Sequence, residues 1–213
     1  MKKLLLLITG IALLTLNIKA QDDGSKKYNS SVSLVPQYTI VSGLRLDIDK
    51  AISKDHLQWL SFSPQIYVSW QSNFADYEDM WGMGLDVKHR IYLNKTLTKP
   101  EGFYFQYGPG FQFFSINDNR EYSESYMEDN NEYWRVVSGD INTKVYKVGG
   151  NLHLGYQSMI GDKVIVDFYL GSGIRLSFDN HNDGLHPWYN NWWGSPGYSG
   201  TLLDAGMRIG IAY

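Results

Sequence analysis

Apolar and polar residues alternate one for one along most of this chain, most plainly over Leu202–Tyr213. There Leu203, Ala205, Met207, Ile209, Ile211 and Tyr213 share one parity; Asp204, Gly206, Arg208, Gly210 and Ala212 share the other. Successive strand side chains point to opposite faces, so a period of two predicts a strand with one apolar face and one small or charged face. The pattern recurs upstream. It predicts strands over about Ser31–Ile40, over a second run in which Leu44, Leu46 and Ile48 face away from Arg45, Asp47 and Asp49, and over Leu57–Trp70. Further strands follow over Trp81–Asn94, Phe103–Ser115, about Lys144–Tyr156 and Val164–Phe178. Each is long enough for the roughly 9–11 tilted residues that cross a hydrocarbon layer.

The connections alternate in length. Ser53–His56, Lys95–Gly102 and Met159–Lys163 are short, whereas Gln71–Met80, Asn117–Asn142 and Asp179–Gly200 are longer; Val41–Gly43 is the tight exception. Eight alternating strands with such connections predict an all-β fold, an eight-stranded antiparallel up-and-down transmembrane β-barrel over residues 31–213. Short turns and both chain ends are expected in the periplasm, long loops outside. Leu34-Val35-Pro36-Gln37-Tyr38, Phe62-Ser63-Pro64-Gln65-Ile66 and Tyr107-Gly108-Pro109-Gly110-Phe111 place a proline at matching positions. Either these mark local bulges that help the sheet coil, because proline forfeits a ladder bond, or the recurrence is chance.

The amino terminus reads as a cleaved secretory signal over residues 1–20. Lys2 and Lys3 precede an apolar core, Leu4–Leu16, and Ile18-Lys19-Ala20 precedes a cut before Gln21. Residues 21–30 form a polar lead-in. Removing Lys2, Lys3 and Lys19 from the nineteen basic residues leaves sixteen against twenty-two acidic, a balance of −6. That argues against nucleic acid as a partner. Cysteine is absent, so stability rests on packing and hydrogen bonding. Aromatics make up 15% of the chain, yet mean hydropathy is −0.32, as expected when lipid-facing residues alternate with lumen-facing ones.

The terminal strand resembles the C-terminal strand of bacterial outer-membrane β-barrels. The chain as a whole resembles small barrels of the OmpA-domain, OmpX and OmpW kind. The Leu44-Arg45-Leu46-Asp47-Ile48-Asp49-Lys50 run with the Ala20-Gln21 cut looks most like small, porin-like barrels of Bacteroidota, which are Gram-negative. The resemblance implies residence in the outer membrane, with its lipids as partners. It also implies that Met207, Ile209, Ile211 and Tyr213 are the signal read by the barrel-assembly machinery, after escort by periplasmic chaperones. A monomer without a peptidoglycan-binding domain after Tyr213 is expected.

Sorting ionisable residues by parity places Arg45, Asp47, Asp49, Asp86, Lys88, Arg90, Lys147, Asp167, Arg175, Asp204 and Arg208 in the lumen. An Arg or Lys facing lipid at mid-depth costs about 2–4 kcal/mol, which drives such groups inward. Six cations against five anions in a narrow barrel favour ion pairing over a water-filled pore. Inward glycines leave room for the long side chains beside them. His153 also points inward, as a member of the polar network. His89 points outward and needs either a nearby bulge or a place near the headgroups.

The Asn117–Asn142 stretch is acidic but lacks the ligand spacing of a calcium loop, so a solvated loop is expected. In Asp179–Gly200, Trp188, Tyr189, Trp192 and Trp193 are candidate contacts for an extracellular glycan or protein; the competing expectation places them in an aromatic girdle with Trp70 and Trp81. His181, Asp183 and His186 are weakly spaced for a metal, and no metal or cofactor is expected. The leading reading is a structural or surface-interaction barrel with a lumen filled by a charged network. A narrow gated conduit for small solutes is second. A lipid-modifying enzyme using His56, His89, His181 or His186 with Ser195 is third; no nucleophile motif supports it, and no enzymatic activity is expected.

Overall fold

Each alternating segment pairs with the next, and the last pairs with the first. The computed structural model describes residues 28–70, 79–93, 99–129, 131–180 and 195–213. Its strands are β1 (Ser30–Leu34), β2 (Gly43–Ala51), β3 (Gln58–Trp70), β4 (Asp79–Tyr92), β5 (Gly102–Glu128), β6 (Asn131–Ile160), β7 (Val164–Asp179) and β8 (Gly200–Ala212). They form a closed antiparallel barrel in sequence order. The seam joins β1 to β8 from Ser31↔Ala212 to Leu34↔Ile209. Asn29 and Ser30 also donate backbone bonds to the Tyr213 carbonyl, both at 3.1 Å. Met207, Ile209 and Ile211 therefore lie on the outer face of the closing strand. The expected signal segment and most of the expected lead-in lie outside the described residues, but Tyr28 and Asn29 already belong to the barrel. Tyr28 is buried, and its hydroxyl donates to the Asp162 carbonyl at 2.5 Å.

The outer face is apolar around the barrel. Leu85, Val148, Leu152, Leu154, Leu170, Ile174 and Leu176 are all exposed. Towards one end runs an aromatic row, Trp81–Phe113 at 5.3 Å and Phe113–Tyr146 at 5.2 Å, continued by Phe178 opposite Tyr146. Towards the other, Phe103 meets Tyr156 at 4.9 Å, and Phe168 lies opposite Tyr156. Tyr146 and Tyr156 are separated along β6 by about 34 Å of strand, or about 25 Å of height at typical barrel tilt. A folded protein in water rarely exposes a contiguous apolar surface of this extent. The fold is an eight-stranded barrel with the exterior of a membrane-spanning one.

Three local features depart from the sequence expectation. The first strand ends at Leu34, not Ile40. Pro36 opens a 3-10 helix, Pro36–Val41, ended by Ser42 in a left-handed conformation (φ 54°). Proline suits a first helical position because its fixed φ is pre-set and its missing N–H is not needed there. The helix turns inward: Gln37 Nε2 donates to the Tyr169 hydroxyl and Arg45 Nη1 to the Tyr38 hydroxyl, both at 2.7 Å.

The other two prolines interrupt pairing without creating bulges. The β2–β3 register runs from Arg45↔Gln65 to Ile48↔Phe62, with the ladder lapsing opposite Ser63 and Pro64. The β4–β5 register runs from Asp86↔Gly110 to His89↔Tyr107, with a lapse opposite Gly108 and Pro109. Both lapses leave the register intact. Each proline is still paired on its other side, with Leu85 and Gly150 respectively.

The third departure is the largest. Asn117–Asn142, expected as a loop, continues β5 and β6 as a hairpin paired to Glu128↔Asn131. Among the described residues, pairing with β4 stops at Asn117 and pairing with β7 stops at Val145. Beyond them the hairpin is a ribbon roughly 35 Å long. Tyr126 stacks on Tyr133 at 5.7 Å, Arg135 Nη2 reaches Glu124 Oε2 at 2.7 Å, and Asp129 takes a left-handed φ of 50° at the tip. The barrel thus has a ribbon end and a turn end, the latter holding the β2–β3, β4–β5 and β6–β7 connections. Met80, counted with the preceding loop, belongs to β4 and faces inward.

Candidate functional site

Inside the barrel the residues form three levels. At the ribbon end Tyr67, Met80, Phe114, Ile116 and Val145 pack together, with Tyr38 and Val41 against them. At the turn end Trp59, Tyr92, Tyr104 and Tyr169 pack with Ala51 and Leu57. Between lie the charges. Ten of the eleven inward candidates are buried, and Asp204 is half-buried.

Eight of them form one unbroken line of alternating sign. Lys88 Nζ lies 3.5 Å from Asp86 Oδ2, which lies 3.3 Å from Arg45 Nη1. Arg45 Nε bonds Asp47 Oδ1 at 2.7 Å, and Asp47 Oδ2 meets Arg208 Nη1 at 3.1 Å. Arg208 Nε is 3.3 Å from Asp167 Oδ2, which is 3.8 Å from Arg90 Nη1, and that atom is 3.2 Å from Asp49 Oδ2. Four cations and four anions cancel along the line. Burying an isolated ion costs several kcal/mol, so a line in which every charge has an opposite neighbour is the arrangement that makes this interior tenable.

Small neighbours create the space. β3 separates β2 from β4 and contributes Ser61 and Ser63, which bond the charges they flank. Ser61 Oγ donates to Asp49, and Arg45 Nη2 donates to Ser63 Oγ at 3.2 Å. Asp86 lies over Gly110, where an added Cβ would sit 2.1 Å from Oδ1.

Tyr104 is the hinge of the line's lower half. Its hydroxyl donates to Asp167 Oδ1 at 2.7 Å and accepts from Arg208 Nη2 at 2.5 Å, while Arg90 lies over its ring at 4.6 Å. The Arg208 Nε–Asp167 contact is close but not aligned as a hydrogen bond; the aligned bond to that carboxylate comes from Tyr104. Gln157 accepts from Arg90 Nη1 at 2.8 Å, and Gln106 accepts from Arg208 Nη2 at 3.0 Å.

The remaining candidates stand apart from the line. Asp204 Oδ2 is 2.9 Å from His153 Nε2. Arg175 Nη2 donates to Asn151 Oδ1 at 2.7 Å, and Lys147 Nζ donates to the Ser195 carbonyl at 3.0 Å. His89 is on the outer face without a bulge in the β4–β5 register, and its Nδ1 lies 3.0 Å from the Tyr107 hydroxyl. His56 sits in the β2–β3 turn, at the opposite end from Ser195. Trp188, Tyr189, Trp192 and Trp193, with His181, Asp183 and His186, lie outside the described residues. Among those described, no group of three or more His, Asp or Glu side chains is placed to hold a metal ion.

Tyr38 was not legible as an interior group because strand parity, carried past Leu34, put it on the outer face with Pro36 and Ile40, whereas Gln37 falls on the inward parity. The signal available was Pro36, one residue after a buried valine.

These features define a class, a closed eight-stranded barrel with an apolar exterior and an interior of paired charges. No protein-family model matches the chain, and no curated protein matches it. It is similar to a solved structure of Acinetobacter baumannii CarO, with 11% identity over 90% of this chain and 100% of that one, at a TM-score of 0.43. It is also similar to that of A. baumannii CarO2, at 10% identity, 87% and 98% coverage and a TM-score of 0.38. The barrel assignment stands on the strand pairing itself.

Proposed function

We propose that the chain is a non-conducting outer-membrane barrel whose work is to hold the β5–β6 ribbon at the cell surface as a contact element. The observation that carries this reading is the line of eight alternating charges from Lys88 to Asp49, lying between packed apolar levels. A solute pathway would have to part several ion pairs at once in a low-dielectric space. The apolar belt and its two aromatic rows support a membrane setting, and the short connections opposite the ribbon support an outward-facing ribbon.

The chain contains no cysteine, so single substitutions report topology cleanly. A Ser125→Cys variant in the ribbon should react with a membrane-impermeant maleimide on intact cells. A Lys54→Cys variant in the β2–β3 turn should react only after the envelope is permeabilised. Labelling of Lys54→Cys alone on intact cells would reverse the orientation, and equal labelling of both would defeat the reading.

A further inference from the structure

Of the six inward cations, four lie within 4 Å of a carboxylate: Arg45, Lys88, Arg90 and Arg208, at closest distances of 2.7, 3.5, 3.2 and 3.1 Å. The other two, Lys147 and Arg175, pair with no carboxylate among the described residues. They are also neighbours. Arg175 is opposite Gly149, and Lys147 is two residues before Gly149 on the same face of β6, which makes the two cations a diagonal cross-strand pair.

Among the described residues no carboxylate pairs with either, and Lys147 Nζ lies 5.7 Å from the centre of the Phe114 ring. Lys147 is flanked by Gln112 on β5 and Ser177 on β7. Arg175 is flanked by Gly149 and by Gly200 on β8. Lys147 Nζ donates to the Ser195 carbonyl, and Arg175 bonds Asn151 and, at 3.3 Å, the Gly150 carbonyl. These acceptors satisfy hydrogen bonds without supplying negative charge. Both side chains are more than nine-tenths buried, under a covering segment whose Ser195, Pro196 and Gly197 are themselves buried.

Two adjacent buried cations repel each other and are poorly hydrated, and an anion between them would offset both costs. We propose that Lys147 and Arg175 form a binding site for a small free oxyanion, of the phosphate or sulfate class, at the ribbon-end mouth of the lumen. A fork-shaped guanidinium beside an ammonium suits such a group, the first for two parallel donors and the second as a point charge. Placed above the balanced line of charges, the site takes an anion without requiring its passage.

The test uses the full-length mature chain refolded in detergent, with inorganic phosphate as probe and chloride at matched ionic strength as reference. Phosphate should raise the unfolding temperature saturably and broaden its own phosphorus NMR line, with sulfate competing. Lys147→Gln and Arg175→Gln should each abolish the saturable part, whereas Arg135→Gln on the ribbon should leave it intact. Absence of saturable phosphate binding by the unaltered protein would overturn the proposal, without any variant having to fold. So would survival of the effect in a Lys147→Gln, Arg175→Gln double variant.

Discussion

Arg208 on β8 crosses over β1 to Asp47 on β2, joining residues 161 positions apart through a 3.1 Å bond. Asp47 is fully buried and already bonded to Arg45, so the crossing links the two halves of the charged line.

Arg208→Ala should therefore be costly. It removes the shared cation between Asp47 and Asp167 and leaves both buried carboxylates one counter-charge short. A loss of about 3–5 kcal/mol in unfolding free energy is expected in urea titrations of the refolded barrel. Asp47→Asn combined with Arg208→Gln should lose less than the sum of the single losses, with a coupling of about 1 kcal/mol or more. A coupling of zero would mean that the crossing pair is incidental.

Glycine positions separate by what a methyl group would strike. At Gly108 an added Cβ would lie 2.0 Å from the Val87 carbonyl oxygen, and backbone in a barrel wall cannot step aside. Gly108→Ala should destabilise by about 2 kcal/mol or more. At Gly150 the nearest atom is 3.7 Å away, and Gly150→Ala should change stability by less than about 0.5 kcal/mol. The heat-modifiable gel shift of the folded barrel gives the first comparison, with equal behaviour of the two variants counting against the packing described.

Leu154 and Leu170 face each other across β6 and β7 on the outer wall, both more than 60% exposed. Replacing Leu170 with Arg should cost about 2–4 kcal/mol when unfolding is measured in lipid vesicles. If the belt met water instead, that change would be close to neutral.

The ribbon should be separable from the barrel. Among the described residues its paired strands contact each other beyond Asn117 and Val145, and no buried cluster of the barrel includes them. Replacing residues 118–141 with an Asn-Gly turn should leave the barrel folded, with an unchanged gel shift and unfolding midpoint. A collapse of either would show that the ribbon contributes to the barrel's stability.

What could be read in the sequence was whatever a two-sided wall imposes. Lipid on one side and a crowded interior on the other force the period of two, which is why Leu170 and Asp167 could be assigned to opposite faces from parity alone. Partner choice within the interior was not legible. Whether Arg208 meets Asp47 or Asp49 depends on the stagger between strands that are not neighbours, and local pattern carries no record of it. The 3-10 helix was hidden because Tyr38 and Ile40 happen to continue the strand parity. The ribbon was hidden for another reason: with no face against a core, Asn117–Asn142 shows an acidic composition instead of apolar alternation. Its sequence signals were Asp129-Asn130, a pair suited to a tight hairpin turn, and the matched Tyr126 and Tyr133 around it.

Single-channel recording of the refolded chain from Gln21 onward in a planar bilayer, after its gel shift has confirmed folding, tests the central claim most directly. The proposed non-conducting barrel predicts electrical silence across the voltage range, with only the leak of the bare membrane. Discrete and reproducible openings would contradict it, because a conducting path would have to part the ion pairs that run from Lys88 to Asp49.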